Sequence, residues 1–122
     1  PIIFIASSLG VWLFFVQHQY EEVYWEDNDH WDVTEAAFKG SSVYRLPLIL
    51  DWFTGNIGYH NIHHLNARIP NYSLRKLFKA TKEFHISREF KIFESLKLAR
   101  MYLYDKKNRM LISRRKYKKM KN

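Results

Sequence analysis

Three histidines crowd into five residues. They are His60, His63 and His64, in the run Gly58-Tyr59-His60-Asn61-Ile62-His63-His64-Leu65. Spacing of i, i+3, i+4 puts all three on one face of a helix, with Asn61 and Ile62 turned aside. Converging neutral imidazoles make a site for a borderline transition metal such as iron or zinc. The competing reading is a structural or chance cluster. Half of the chain's six histidines falling in five residues favours the metal. No glutamate stands between the histidines to act as a general base, so the pattern is not that of a zinc peptidase. The chain has no cysteine, hence no disulfide and no thiolate ligand, and histidine is the main ligand candidate. There is no internal repeat, no glycine-rich phosphate loop and no Ser-His-Asp arrangement.

The elements that must hold these histidines are mostly helical by pattern. Pro1 to Gln17 carries no charge and is apolar on every side. A helix of about 17 residues is about 25 Å long, slightly short of a hydrocarbon core of about 30 Å. It reads as a transmembrane helix cut at its start; a buried core helix is the alternative. Gln17-His18-Gln19-Tyr20-Glu21-Glu22 ends it, where polar side chains mark the exit from a bilayer. Residues 21–35 hold seven of the twelve acids, with Trp25 and Trp31 interleaved, and read as a solvated loop in which His30 faces water. Thr34 to Lys39 starts a short helix, capped by Asp32 or Thr34 and broken at Gly40-Ser41-Ser42. Val43 to Phe53 is too short to span a membrane, and Arg45 and Asp51 within it point to an amphipathic helix along the interface, starting near Pro47.

Gly55 and Gly58 permit a tight turn into the histidine helix, with Thr54 or Asn56 as cap. That helix should end before Pro70. Pro70 to Ser73 reads as a turn, with Ser73 capping a helix over 74–82. Phe90, Phe93, Leu96 and Leu98 follow a helical pattern over 87–100, with Ser87 as possible cap. Met101 to Ile112 is ambiguous and allows a β-hairpin around Asp105-Lys106-Lys107-Asn108. The tail Ser113 to Asn122, with six basic residues, is expected to be mobile. The fold class is therefore mainly α: an apolar helix over 1–17, a helical interfacial domain over 18–112 carrying the histidines, and a basic tail over 113–122.

Charge divides the chain. Residues 1–67 hold two basic and eight acidic side chains, residues 68–122 eighteen and four. A basic half invites nucleic acid, but the apolar start argues for a bilayer, whose anionic headgroups attract the same cations. Nucleic acid is not the expected partner. The high aromatic content of 17% suits a membrane interface. By the positive-inside rule the basic part, which follows the apolar segment, and the histidine box with it are expected on the cytoplasmic side, although the charges nearest the helix end, which count most, are acidic.

The His60-Asn-Ile-His63-His64 box, its lead-in Trp52-Phe53-Thr54-Gly55-Asn56-Ile57-Gly58-Tyr59, the following Arg68-Ile69-Pro70-Asn71-Tyr72 and the upstream Gln17-His18-Gln19-Tyr20-Glu21 resemble a known family. It is that of the membrane fatty acid desaturases, in particular the bacterial and cyanobacterial acyl-lipid enzymes of the delta-12 or delta-5 kind. The resemblance covers most of residues 1–105. It implies two iron ions held by eight or more histidines, among them His60, His63 and His64. It also implies that His18 is a further metal ligand; from the residue alone, an interfacial histidine bonded to a headgroup or the backbone is the other reading. Glu21 is a candidate to fix an imidazole tautomer, and Asn61 and Tyr59 are candidates to hydrogen-bond around the ligands.

The implied reaction uses dioxygen and two electrons to place a cis double bond in the fatty acyl chain of a membrane lipid. Ferredoxin, flavodoxin or cytochrome b5 would be the electron donor. The family's two earlier histidine boxes are absent, and His18 and His30 are too isolated to supply them. The expectation is the C-terminal portion of a longer enzyme, inactive alone. Two further readings stand beside it: a related histidine-box hydroxylase or other oxygenase, and a non-enzymatic membrane-bound metal- or lipid-binding module. The residues that bind substrate are not readable from the sequence.

Overall fold

The computed structural model describes residues 1–121. It is mainly helical, with two small two-stranded sheets. The uncharged N-terminal run forms α1, Ile2–His18. Its two ends differ. Ile2, Ile3, Phe4, Leu9 and Val11 are exposed. Val16 is buried with Tyr20, Tyr44 and Leu98, and Trp12, Leu13 and Phe15 pack against this cluster. Among the described residues no helix is long and apolar enough to cross a membrane.

After an acidic connection with a single 3-10 turn at Asn28–His30, α2 runs Val33–Lys39. Asp32 rather than Thr34 is its cap, accepting from the Glu35 N–H at 2.8 Å. Within Val43 to Phe53 the expected helix starting near Pro47 is present, but it does not take the whole run. The run splits into strand β1, Val43–Arg45, and helix α3, Leu48–Phe53, entered through Pro47. The β-branched and aromatic Val43-Tyr44 pair finds a strand partner far along the chain: β1 pairs in parallel with β2, Glu89–Lys91, in the register Val43 to Glu89, Tyr44 to Phe90 and Arg45 to Lys91.

That short strand organises the interior. Successive strand side chains point to opposite faces. Val43 enters a cluster with Tyr59, Ile62, Leu74 and Phe78, while Tyr44 enters the cluster of Val16, Tyr20 and Leu98. One cluster holds the histidine helix α4, His60–Leu65; the other holds the end of α1. β1 therefore sets how close these two elements lie.

Later elements depart from pattern-based expectation. Helix α5, Asn71–Ala80, begins directly after Pro70, whose extended backbone serves as N-cap, and Ser73 lies inside it. The stretch 87–100 becomes β2, the short helix α6, Ile92–Ser95, and a 3-10 turn at Leu98–Arg100. Pairing with β1 overrides the helical spacing of Phe90 and its neighbours. The expected hairpin is present: β3, Met101–Asp105, pairs antiparallel with β4, Met110–Ser113. Asp105 closes its turn, accepting from the Lys107 N–H at 3.0 Å and the Asn108 side-chain amide at 2.6 Å. The basic tail is not left loose. It forms α7, Arg114–Lys121, started by the Ser113 hydroxyl accepting from the Lys116 N–H at 3.3 Å. An ion pair from Lys116 to Glu21 fastens it to the residues just beyond α1.

Candidate metal centre

The turn into α4 uses left-handed backbone at two adjacent positions. Gly55 has φ +63° and Asn56 φ +56°, the first at no steric cost, the second with the residue type that tolerates it best after glycine. Gly58 has a different role. A Cβ there would lie 2.4 Å from the Tyr44 carbonyl, which accepts no side chain so close to the β1 backbone. The Tyr44 N–H in turn donates to the Gly58 carbonyl at 2.8 Å. Neither Thr54 nor Asn56 caps α4: Tyr59 occupies the N-cap without a side-chain bond, and the Thr54 hydroxyl donates back to the Leu50 carbonyl at 2.8 Å.

The end of α1 is tied to this turn. Gln17, buried, donates its side-chain amide to the Ile57 carbonyl at 3.1 Å. Its own carbonyl accepts the Ser42 N–H at 2.9 Å. His18 is thereby brought beside α4 across 46 residues of sequence, with its Nε2 2.9 Å from His64 Nε2. The donor atoms of His18, His60 and His64 lie within 4.8 Å of one another. His63 stands outside that group and stacks on His60, ring centroids 5.6 Å apart. His30 is exposed and His85 bonds the Phe78 carbonyl at 3.0 Å, so neither joins the cluster.

The chemistry of the donor set fits a metal ion. His18 Nδ1 lies 2.8 Å from the Phe14 carbonyl; donating there leaves Nε2 with its lone pair toward His64. Two nitrogens each about 2.1 Å from one ion and at a right angle to each other are about 3.0 Å apart, close to the observed His18–His64 separation. His60 is buried, and its Nδ1 has no hydrogen-bond partner. Burial, reinforced by the neighbouring His18, His64 and His63, pushes its imidazole down to about 3. His64 is lowered by the same desolvation first and then by His18 and His63. Both rings are therefore held neutral at physiological pH, the form that ligates.

Three supporting roles differ from expectation. Glu21 pairs with Lys116 rather than with an imidazole; the Phe14 carbonyl does the orienting. Asn61 and Tyr59 bond no histidine. Asn61, fully buried, donates to the Phe84 carbonyl at 2.9 Å and the Ser87 hydroxyl at 3.0 Å, and accepts the Ile62 N–H at 2.9 Å. Tyr59 donates to Asp51 at 3.4 Å. Sequence reasoning overlooked Gln17 as the tie between α1 and the box. Its presence as the one amide at the end of an uncharged run was the available signal.

Residues 1–92 match the sequence family described as fatty acid desaturase. Over 118 residues, the chain is 41% identical to a protein named fatty acid desaturase from Bacillus subtilis (strain 168), covering 97% of this chain and 34% of that protein. The chain thus spans about a third of the length of the curated relative it matches. No solved structure matches it.

Proposed function

The chain belongs to the fatty acid desaturase family, and on that premise we propose that it is the part of a membrane desaturase that supplies the last histidine box and one outlying ligand to a di-iron centre. The observation that carries this reading is the convergence of His18 with His60 and His64 from opposite ends of the packed interior. His63, beside His60 but outside the tight group, is assigned to the same centre, and the further histidines expected of the family lie outside these 122 residues. The substrate is the fatty acyl chain of a membrane lipid. When bound, the irons would supply the oxidation of an unactivated C–H bond that no protein acid or base achieves: an acyl –CH2–CH2– unit, dioxygen, two electrons and two protons give –CH=CH– and two waters. Ferredoxin, flavodoxin or cytochrome b5 is the class of electron donor.

What these residues themselves contribute is placement and protonation state. The Phe14 carbonyl selects the His18 tautomer, burial keeps His60 neutral, and the Gln17–Ile57 bond holds the two ligand-bearing elements together. Helix α1, with its apolar first ten residues exposed, is the segment that enters the bilayer, and the histidine cluster stands at its cytoplasmic end. Residues 18–112 form the cytoplasmic part of the desaturase domain and 113–122 its basic extension.

The test is expression of the complete reading frame in a host without desaturases, with an electron carrier added, and mass spectrometry of the lipid acyl chains. A new cis-unsaturated chain is the expected result. A hydroxylated chain would transfer the protein to the oxygenases, and no product from an iron-loaded protein would overturn the assignment.

A further inference from the structure

All of the chain's net charge lies at one place. Residues 1–100 hold eleven basic and eleven acidic side chains, whereas 101–121 hold nine basic and only Asp105. Asp105 is occupied within its own turn. Two of the nine cations are paired, Arg109 with Glu26 and Lys116 with Glu21. The other seven make no ion pair among the described residues, and all seven are exposed.

Three of these seven, Lys106, Lys107 and Lys121, border a groove rather than a flat face. Between the β3–β4 hairpin and α7 runs a trough of about 730 Å³ with Leu103, Ile112, Tyr117 and Met120 along it and Lys106, Lys107 and Lys121 at its edges. Tyr117 and Met120 are half exposed there with no covering element. Apolar floor and cationic rim describe a site for an amphiphile that carries negative charge.

Position selects the source. The hairpin and α7 are fastened to the exit of α1, through the Leu111 N–H to the Glu21 carbonyl at 2.9 Å and through Lys116 to Glu21. Glu21 is three residues past the end of α1, so the attachment lies within about 11 Å of it even for extended chain. Tyr104 and Lys106 also line a neighbouring depression that His18 bounds, so one depression separates the groove from the histidine cluster. Resting on the reading of α1 as the segment that enters the bilayer, we infer that the hairpin and α7 form a clamp for the headgroups of anionic phospholipids, which hold this face of the protein down on the membrane beside the metal centre.

The complete protein in lipid nanodiscs tests this by amide hydrogen exchange. Discs of phosphatidylcholine alone are compared with discs containing about a third phosphatidylglycerol, at low and high salt. The expected result is exchange over residues 101–121 at least fivefold slower in the anionic discs, with the slowing lost at high salt. The triple substitution Lys106→Gln, Lys107→Gln and Lys121→Gln should abolish the slowing while leaving exchange in phosphatidylcholine discs unchanged. Amides of residues 2–18 should be protected in both kinds of disc. Free exchange there would overturn the reading of α1 and the clamp together. Protected α1 with equal exchange of 101–121 in the two discs would overturn the clamp alone. Slowing produced in phosphatidylcholine discs by an acidic carrier protein or an oligonucleotide, and not by phosphatidylglycerol, would likewise overturn it and give the groove to that partner.

Discussion

Helices α3 and α4 are each six residues long and are separated by residues 54–59. They divide their side chains between inside and outside in opposite ways. Helix α4 buries His60, Asn61 and Ile62, and Asn61 has a partner for both ends of its amide. Helix α3 buries only Asp51, one of whose oxygens has no partner, and exposes Leu48, Ile49, Trp52 and Phe53. A helix facing water does the reverse, because apolar side chains leave water and carboxylates seek it. In α4 the buried amide of Asn61 is fully satisfied, and the one unpartnered buried atom, His60 Nδ1, belongs to the histidine cluster. In α3 the outward face is apolar, and the carboxylate is what faces the protein.

The sharpest way to break this contrast is at the cluster itself. His64→Ala in the complete enzyme should reduce bound iron and lower turnover by about 100-fold or more, since even the residues that orient metal ligands are worth about 10–100-fold. Iron content and acyl-chain profiles check it. Normal activity would leave α4 as a structural helix only.

Next in size is Asn61→Ala. It strands the Phe84 carbonyl, the Ser87 hydroxyl and the Ile62 N–H in a dry interior and should cost about 2–4 kcal/mol. Thermal unfolding of the detergent-solubilised enzyme measures this. A cost below about 0.5 kcal/mol would remove the claim that satisfaction distinguishes α4.

A smaller effect of opposite sign is expected in α3. Burial holds the Asp51 carboxyl above the usual carboxylate range, with Arg75, Tyr59 and Arg45 pulling the other way. The folded state then keeps its proton at a pH where the unfolded chain has lost it. Stability falls as pH rises from the ordinary value of 3.8 through the raised one. Asp51→Asn cannot ionise, so it should gain on the wild type across that window and keep the gain at neutral pH. Equal pH dependence of the two unfolding curves would count against it. Smallest of all, Trp52→Gln should change stability in detergent by no more than about 0.5 kcal/mol, because its ring is 73% exposed. A loss above about 2 kcal/mol would mean that the α3 face is packed against protein.

These two helices also mark what could be read from the amino acids. The spacing that brings His60 and His64 together is local and was legible, though His63 stands outside their group; the hairpin was legible as one open reading of Met101 to Ile112, through turn chemistry in four consecutive residues. His18 joining the cluster was legible only through the resemblance, because nothing in its neighbours announces a partner 46 residues away. The parallel pairing of β1 with β2 was hidden for the same reason: three-residue strands separated by more than forty positions carry almost no periodic signal. Burial of Asp51 ran against its type, since a carboxylate is ordinarily left in water. The helix in the tail is joined by Ser113 and Glu21, neighbours that composition alone does not weigh.

The bond from Gln17 to Ile57 has a mechanical consequence. It pins α1 at its last turn and leaves the first ten residues without protein neighbours, so the helix behaves as a rod on a fulcrum. Tilting the rod by about 10° carries Ile2 through about 4 Å, since some 15 residues of helix make a lever of about 22 Å. His18 sits next to the pivot and moves by a fraction of an ångström. On the proposed reading of α1 as the bilayer segment, changes in the thickness or order of the bilayer would swing the far end of α1 while His18 at its near end stays in register with α4.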